Sequence, residues 1–251
     1  ALSKHLESRG RGLSQALDNV GTAKNVLNIA EGGYQSQMDI LQQIKESLTQ
    51  AADGALSTEQ RGAIGDRIDS LLTEFDDIRD QTKYNGYVLF SDDTADATSG
   101  SDRTMTFQVG EENTDTFAVE FDNSNRINVG ESGTSIDGVL ATDTDSDGTT
   151  DTWSQLSQTD ATSGIAVLDT AIKEMAKSIQ KMGDYQARLS SKEESLSLGI
   201  SNTEATRSRI EDADFAKEQM TMMKLQILQQ TSVSAFTQSN SAPQVVLSLF
   251  R

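Results

Sequence analysis

Hydrophobic positions in the first fifty residues fall on two rails. Leu13, Val20, Leu27, Tyr34, Leu41 and Leu48 recur every seven residues, and Ala16, Ala23, Ala30, Ile44 and Ala51 follow three behind, interrupted only by Gln37. Rails at this offset place a narrow apolar seam along one side of a helix. The pattern predicts a helix that begins before Leu13 and reaches about Ala52, a length of about 60 Å from Leu13 onward. Gly32-Gly33 interrupts it at about 1 kcal/mol per glycine relative to alanine, and the helix is expected to run through the pair. A seam that long needs other long helices to cover it.

The chain supplies them. Asp53-Gly54 is a stop, and Ser57-Thr58-Glu59-Gln60 reads as a capping box opening a second helix. Its predicted seam is Ile64, Ile68, Leu71, Phe75 and Ile78, and the short connection makes it antiparallel to the first. The ladder returns in the last third, with Leu168, Met175, Met182, Leu189 and Leu196 as one rail and Ile165, Ile172, Ile179 and Ile200 as the other. Thr162 or Ser163 is the expected N-cap of that helix. Between the ladders the period changes from helical to alternating. Asn85-Gly86 marks a turn, Thr104–Val109 and Thr116–Phe121 read as strands, and Arg126–Val129 as a weaker third.

The predicted fold is mainly α: an elongated antiparallel helical rod, coiled-coil-like, of N- and C-terminal helices, with a small β-rich central insertion and a C-terminal helical tail. The expected divisions are 1–90 for the N-terminal rod helices and the start of a hairpin, and 91–160 for the insertion. Residues 161–204 are then the C-terminal rod helix and 205–251 the terminal segment.

Composition agrees with a rod. Only 35% of residues are hydrophobic and 5% aromatic, and there is one proline. The net charge of −18 is concentrated in residues 91–160, which hold 16 acidic against 2 basic side chains. That sign argues against nucleic-acid binding. No apolar run is long enough to enter a membrane, and no signal peptide is visible. With no cysteine and a single histidine, His5, most metal and triad chemistries are out of reach, and no nucleophile–base pair or phosphate loop is present. An enzyme is not expected.

Two stretches carry candidate function. From Leu225 to Phe250 there is no charged residue, yet Gln, Ser and Thr keep the segment too polar for a bilayer. A helix with apolar residues on all sides and no charges is buried among other chains. The candidate interface residues are Phe215, Met222, Leu225, Ile227, Leu228, Val233, Phe236, Val245, Leu247, Leu249 and Phe250. Met220, Met222 and Met223 read as adaptable packing rather than a soft-metal box. In the acidic centre, Asp143, Asp145, Asp147 and Asp151 occupy positions 1, 3, 5 and 9 of a calcium-loop pattern, with Gly148 at position 6. Ser154 stands where the pattern wants a bidentate Glu, so a solvated acidic loop fits as well. No cofactor is expected beyond that candidate calcium.

Several local motifs, taken in order, resemble those of bacterial flagellins. Arg11-Gly12-Leu13-Ser14-Gln15-Ala16 is similar to the family's RGLNQA, Ala30-Glu31-Gly32 to AEG, and Gln81-Thr82-Lys83-Tyr84-Asn85-Gly86 to QTQFNG. Ser208–Ala216 resembles SRIEDADYA, and Ala242–Arg251 resembles APQSVLSLLR. The resemblance covers both flanks and leaves residues 91–160 unmatched. It implies the structural subunit of a flagellar filament, polymerising with itself as a helical homopolymer, secreted by type III export without a cleavable signal peptide and extracellular once assembled. It implies further partners: an export chaperone on residues 205–251, and hook–filament junction and cap proteins. It also implies a terminal helix ahead of Ala1, which is expected to be missing here.

Flagellins sensed by the flagellin-binding Toll-like receptor carry Arg, Leu and Glu where this chain has Gln43, Ser47 and Arg67. The substitutions imply weak recognition by that receptor. The alternatives are a hook–filament junction protein, or a calcium-binding or adhesive module displayed on a stalk.

Overall fold

Every apolar position on the two rails of the first helix is buried, from Leu13 and Ala16 to Leu48 and Ala51. They lie along helix α1, Leu2–Ala51, in a computed structural model that describes residues 2–91, 102–126, 128–129, 135–140 and 152–249. Gln37, the break in the second rail, is also fully buried, and its amide is satisfied. Nε2 donates to the Phe75 carbonyl at 2.9 Å, and Oε1 accepts from the Ser124 hydroxyl at 2.8 Å. Gly33 holds a close approach. A Cβ there would lie 2.7 Å from the Thr82 hydroxyl and 2.8 Å from the Phe90 ring. At Gly32 the structure shows no such neighbour.

Helix α2, Thr58–Gln81, starts at the expected capping box, with Ser57 Oγ accepting from the Gln60 amide and Gln60 Oε1 accepting from the Ser57 amide. Its buried stripe differs from the expected one. Ile68 and Phe75 are buried as predicted, but Ile64, Leu71 and Ile78 are half-buried, and Arg61, Gly65, Leu72 and Arg79 take the inner positions. Two contacts turn the helix this way. Arg61 donates from Nε to the Ala51 carbonyl at 2.8 Å and from a terminal nitrogen to the Asp53 carbonyl at 3.1 Å, closing the C-terminus of α1. The 3₁₀ turn Trp153–Gln155 lies on Gly65, where any Cβ would overlap the Trp153 carbonyl oxygen.

The centre is built from hairpins. Strands β1 (Lys83–Tyr84) and β2 (Tyr87–Val88) pair across Asn85-Gly86, both with positive φ (50° and 84°), as a two-residue turn of this handedness requires. Strands β3 (Arg103–Gln108) and β4 (Thr116–Phe121) pair antiparallel, and Phe117, Val119 and Phe121 point inward from β4. The predicted third strand is only a two-residue ladder, β5 (Ser124–Asn125) with β6 (Asn128–Val129), and Arg126 sits in its turn. Arg126 is drawn out of the strand by α2. Its backbone N–H and its Nε donate to Asp76 at 2.9 and 2.7 Å. A second 3₁₀ turn covers Asp137–Leu140.

Helix α3, Gln158–Leu249, begins earlier than expected. Ser157 is the cap, its Oγ accepting from the Asp160 amide while Asp160 Oδ2 accepts from the Ser157 amide. Thr162 and Ser163 lie inside the helix, with their hydroxyls bonded back to the Gln158 and Thr159 carbonyls. The first rail, Leu168 to Leu196, is buried as predicted. The second is not the isoleucine row: Ile165, Ile172, Ile179 and Ile200 are half-buried, and Gly164, Ala171 and Ser178 take the inner positions. A Cβ on Gly164 would lie 2.9 Å from Val139 and 3.1 Å from Leu48, so small side chains let α3 approach its neighbours closely.

The chain divides into two units, Gln15–Leu196 and one joining Ala1–Ser14 to Ser197–Arg251. Within the first, α1 and α3 are antiparallel, since partners of rising number on α1 have falling numbers on α3. Lys24 pairs with Glu193 at 2.7 Å, Asn28 accepts from Gln186 at 3.0 Å, Lys45 pairs with Asp169, and the Ala52 carbonyl accepts from Gln158 at 3.0 Å.

Candidate functional site

A buried polar cluster fastens the central hairpin to the helices of the first unit. Asp122, one residue past β4, is 1% exposed. Its Oδ1 accepts from Lys181 Nζ at 2.7 Å, its Oδ2 from the Ser178 hydroxyl at 2.5 Å, and its carbonyl from the Tyr34 hydroxyl at 2.8 Å. Lys181 also reaches Glu120 at 3.1 Å. Burial, then the nearby Asp122 and Asp102 charges, push the Tyr34 hydroxyl well above the ordinary phenol range. Burial alone would lower Lys181, but its bonds and charge pairing with Asp122, then Glu120, more than reverse this and hold it above the usual ammonium range. A phenol held protonated and an ammonium held charged are stable partners, not a base or a nucleophile. The cluster is a fastening. Nothing in the periodicity of the sequence marks it, because Asp122 follows the alternating strand as an ordinary loop acid would.

The second unit offers a different surface. Near its start α3 is partnered by α1. Ser3 Oγ donates to Glu211 at 2.7 Å, and Gly10 faces Thr203. Arg207 pairs with Glu211 at 3.2 Å and with Glu204, which keeps that turn charged on its outer side. From Glu211 to Asn240 every residue is exposed. The apolar members there include Phe215 at 67%, Leu225 at 59%, Ile227 at 63% and Phe236 at 73% exposure. Phe215, Met222, Leu225, Val233 and Phe236 share one side at helical spacing. Met220, Met223 and Ile227 share a nearly opposite side, and Leu228 lies between. Burying one such side chain is worth about 1.5–3 kcal/mol. A helix uncovered on two sides therefore holds a large free energy for any partner that covers it.

The remaining predicted residues fall as follows. Val245, Leu247 and Leu249 lie within the bounds of α3, but their side chains, like Phe250, are outside the described residues. Asp143, Asp145, Asp147 and Asp151 are also outside them. Among the described residues there is no cluster of three or more His, Cys, Asp or Glu suited to a metal. Among them, too, no helix is long and apolar enough to cross a membrane. Gln43 and Arg67 are exposed. Ser47 is buried, its hydroxyl bonded to the Gln43 carbonyl at 2.9 Å, so it is not exposed with Gln43.

Comparison with known proteins addresses the same two flanks. The family model of the bacterial flagellin N-terminal helical region matches residues 1–95, and that of the bacterial flagellin C-terminal helical region matches residues 165–250. Flagellin FlaB2 of Treponema pallidum is 31% identical over all of this chain and 84% of its own length. The flagellar filament 33 kDa core protein of Treponema phagedenis is 31% identical with the same coverage. Among solved structures, a protein described as flagellar hook-associated from Vibrio parahaemolyticus superposes with a TM-score of 0.64, over 82% of this chain and 95% of that one. At 13% identity that likeness concerns the fold alone. The two terminal models and the relatives agree with the motif resemblance, and the chain belongs to the bacterial flagellins.

Proposed function

We propose that this flagellin, a structural subunit of the bacterial flagellar filament, joins its neighbours through the uncovered part of α3 after Glu211. The observation that carries the reading is the unbroken exposure from Glu211 to Asn240 of a helix with large apolar side chains on two sides. Copies of the same chain are the occupant. A helical homopolymer can cover both sides at once, whereas a single globular partner would cover one. Val245, Leu247, Leu249 and Phe250 continue the same uncharged sequence and belong to the same interface. Residues 1–90 and 161–204 serve as the rod, 91–160 as the outward insertion and 205–251 as the assembly segment.

The same surface needs cover before assembly. An export chaperone on residues 205–251 fits that need, and hook–filament junction and cap proteins would meet the subunits at the filament's ends. The chain is exported, works outside the cell and does no chemistry of its own. Phe236→Asp and Leu225→Asp test the reading by sedimentation of filaments. Both variants should fail to polymerise while their thermal unfolding stays that of the parent. Polymerisation at the parent's level would refute the assignment.

A consequence for immune recognition follows from Gln43 and Arg67, which are exposed on α1 and α2. Neither supplies the group that sensed flagellins offer at that position, so the Toll-like receptor should respond weakly. A reporter assay with potency equal to that of sensed flagellins would contradict this.

A further inference from the structure

We propose that Met220, Met222 and Met223 form an oxidation-sensitive site, at which hydroperoxides convert the thioethers to sulfoxides and so close α3 to self-association. The inference rests on the assembly reading above, and it adds a modification site and the reagent class that acts there. The methionines of this chain fall into contrasting groups. Met175 and Met182 are completely buried in the first unit, and Met38 and Met105 are half-buried. Met220, Met222 and Met223 are 61%, 52% and 54% exposed. Peroxide reaches a sulfur only where solvent does, so exposure sorts the seven into those that react in the folded chain and those that are shielded.

Position gives the reaction its consequence. Met222 lies on the side of α3 that carries Phe215, Leu225, Val233 and Phe236, and Met220 and Met223 lie on the side that carries Ile227. Three residues within one turn thus reach both apolar sides of the helix. In the reaction a sulfur lone pair attacks one peroxide oxygen. The S–O bond forms as the O–O bond breaks, and the departing hydroxide, or the alkoxide of an organic hydroperoxide, takes up the proton of the transferred oxygen to leave as water or alcohol. Sulfur loses two electrons and the peroxide gains them. The product places a strong acceptor where neighbouring subunits would bury apolar surface, and an acceptor buried without a partner opposes association. Once neighbours cover the helix, the same sulfurs are shielded. Oxidation therefore acts on subunits before they are added, and completed filaments resist it.

The test uses the folded flagellin and hydrogen peroxide, with sulfoxides located by peptide mass spectrometry and assembly followed by sedimentation. Met220, Met222 and Met223 should oxidise at least about tenfold faster than Met175 and Met182. The oxidised subunit should lose sedimentable polymer, and methionine sulfoxide reductase should restore it. M220L/M222L/M223L removes the three sulfurs, and whatever amount of polymer it forms should be the same with and without peroxide. Equal oxidation rates at buried and exposed methionines would overturn the site. Undiminished assembly of a subunit carrying all three sulfoxides would overturn its effect. A subunit that does not assemble even before peroxide would instead refute the assembly reading, and the gating with it, while the order of oxidation would still report on the site.

Discussion

Two stretches of α3 with similar apolar side chains meet opposite fates. Between Gln158 and Leu196 the rail Leu168, Met175, Met182 and Leu189 is completely buried, whereas between Glu211 and Asn240 Met222, Leu225 and Phe236 are more than half exposed. The first stretch keeps Lys173, Lys177, Asp184 and Arg188 clear of its seam, so it has one apolar side and one charged side. The second has apolar side chains on two sides and no charge after Lys224 until the last residue. One pattern is satisfied within a single chain, and the other, on the proposed reading, by several copies. Most helical stability comes from tertiary packing of an apolar face, which the exposed second stretch lacks, so it is held by continuity with the packed stretch. Its lasting stability has to come from neighbours.

The comparison can be broken most forcefully by equal truncations. Leu189→Ala should cost about 2–5 kcal/mol in chemical denaturation, because it opens a cavity in a closed seam. Leu225→Ala should change the stability of the free subunit by no more than about 0.5 kcal/mol. Its penalty should appear in assembly instead. Equal losses from the two substitutions would erase the distinction between the stretches.

A smaller effect is expected at the fastening of the hairpin. Asp122→Ala should cost about 2–3 kcal/mol in the same denaturation experiment, since it strips Lys181 and Ser178 of a buried acceptor. Smaller again is the cap of α2, where Ser57→Ala should cost about 1 kcal/mol. Neither should alter how the chain behaves after Glu211.

Alkaline pH separates the stretches in a different way. Tyr34 and Lys181 both have folded pKa values raised above their unfolded ones. Their contribution is complete below the unfolded values and is lost as pH rises through the folded ones. Stability of the packed unit should therefore start to fall once pH passes about 10. Tyr34→Phe should blunt the loss in a pH series of denaturation midpoints. No titrating group lies between Leu225 and Asn240, so no matching transition is expected there.

The rails of α1, the first rail of α3, the capping box at Ser57 and the Asn85-Gly86 turn are all legible in the sequence, because each depends on local spacing or local hydrogen bonding. The inner faces of α2 and the second rail of α3 are not, and for one shared reason. Large apolar residues, Ile64 or Ile172, draw the expected seam, but close approach to neighbours puts Gly65, Gly164, Ala171 and Ser178 inside. Which small residue lies inside depends on a partner far away in sequence, such as Trp153 on Gly65. The early start of α3 is hidden because Ser157 and Asp160 form a capping box with Asp in place of Glu or Gln. The proposed assembly surface draws on a different signal. From Leu225 onward the sequence carries no charge until the last residue, a pattern that suits burial among other chains.

Amide hydrogen exchange resolved along α3, in the free subunit and in the filament, tests the central claim most directly. Residues 161–196 should exchange slowly in both states, and residues 211–240 should exchange fast in the free subunit and slowly in the filament. Equal protection of the two stretches in the free subunit, or no gain over 211–240 in the filament, would contradict it.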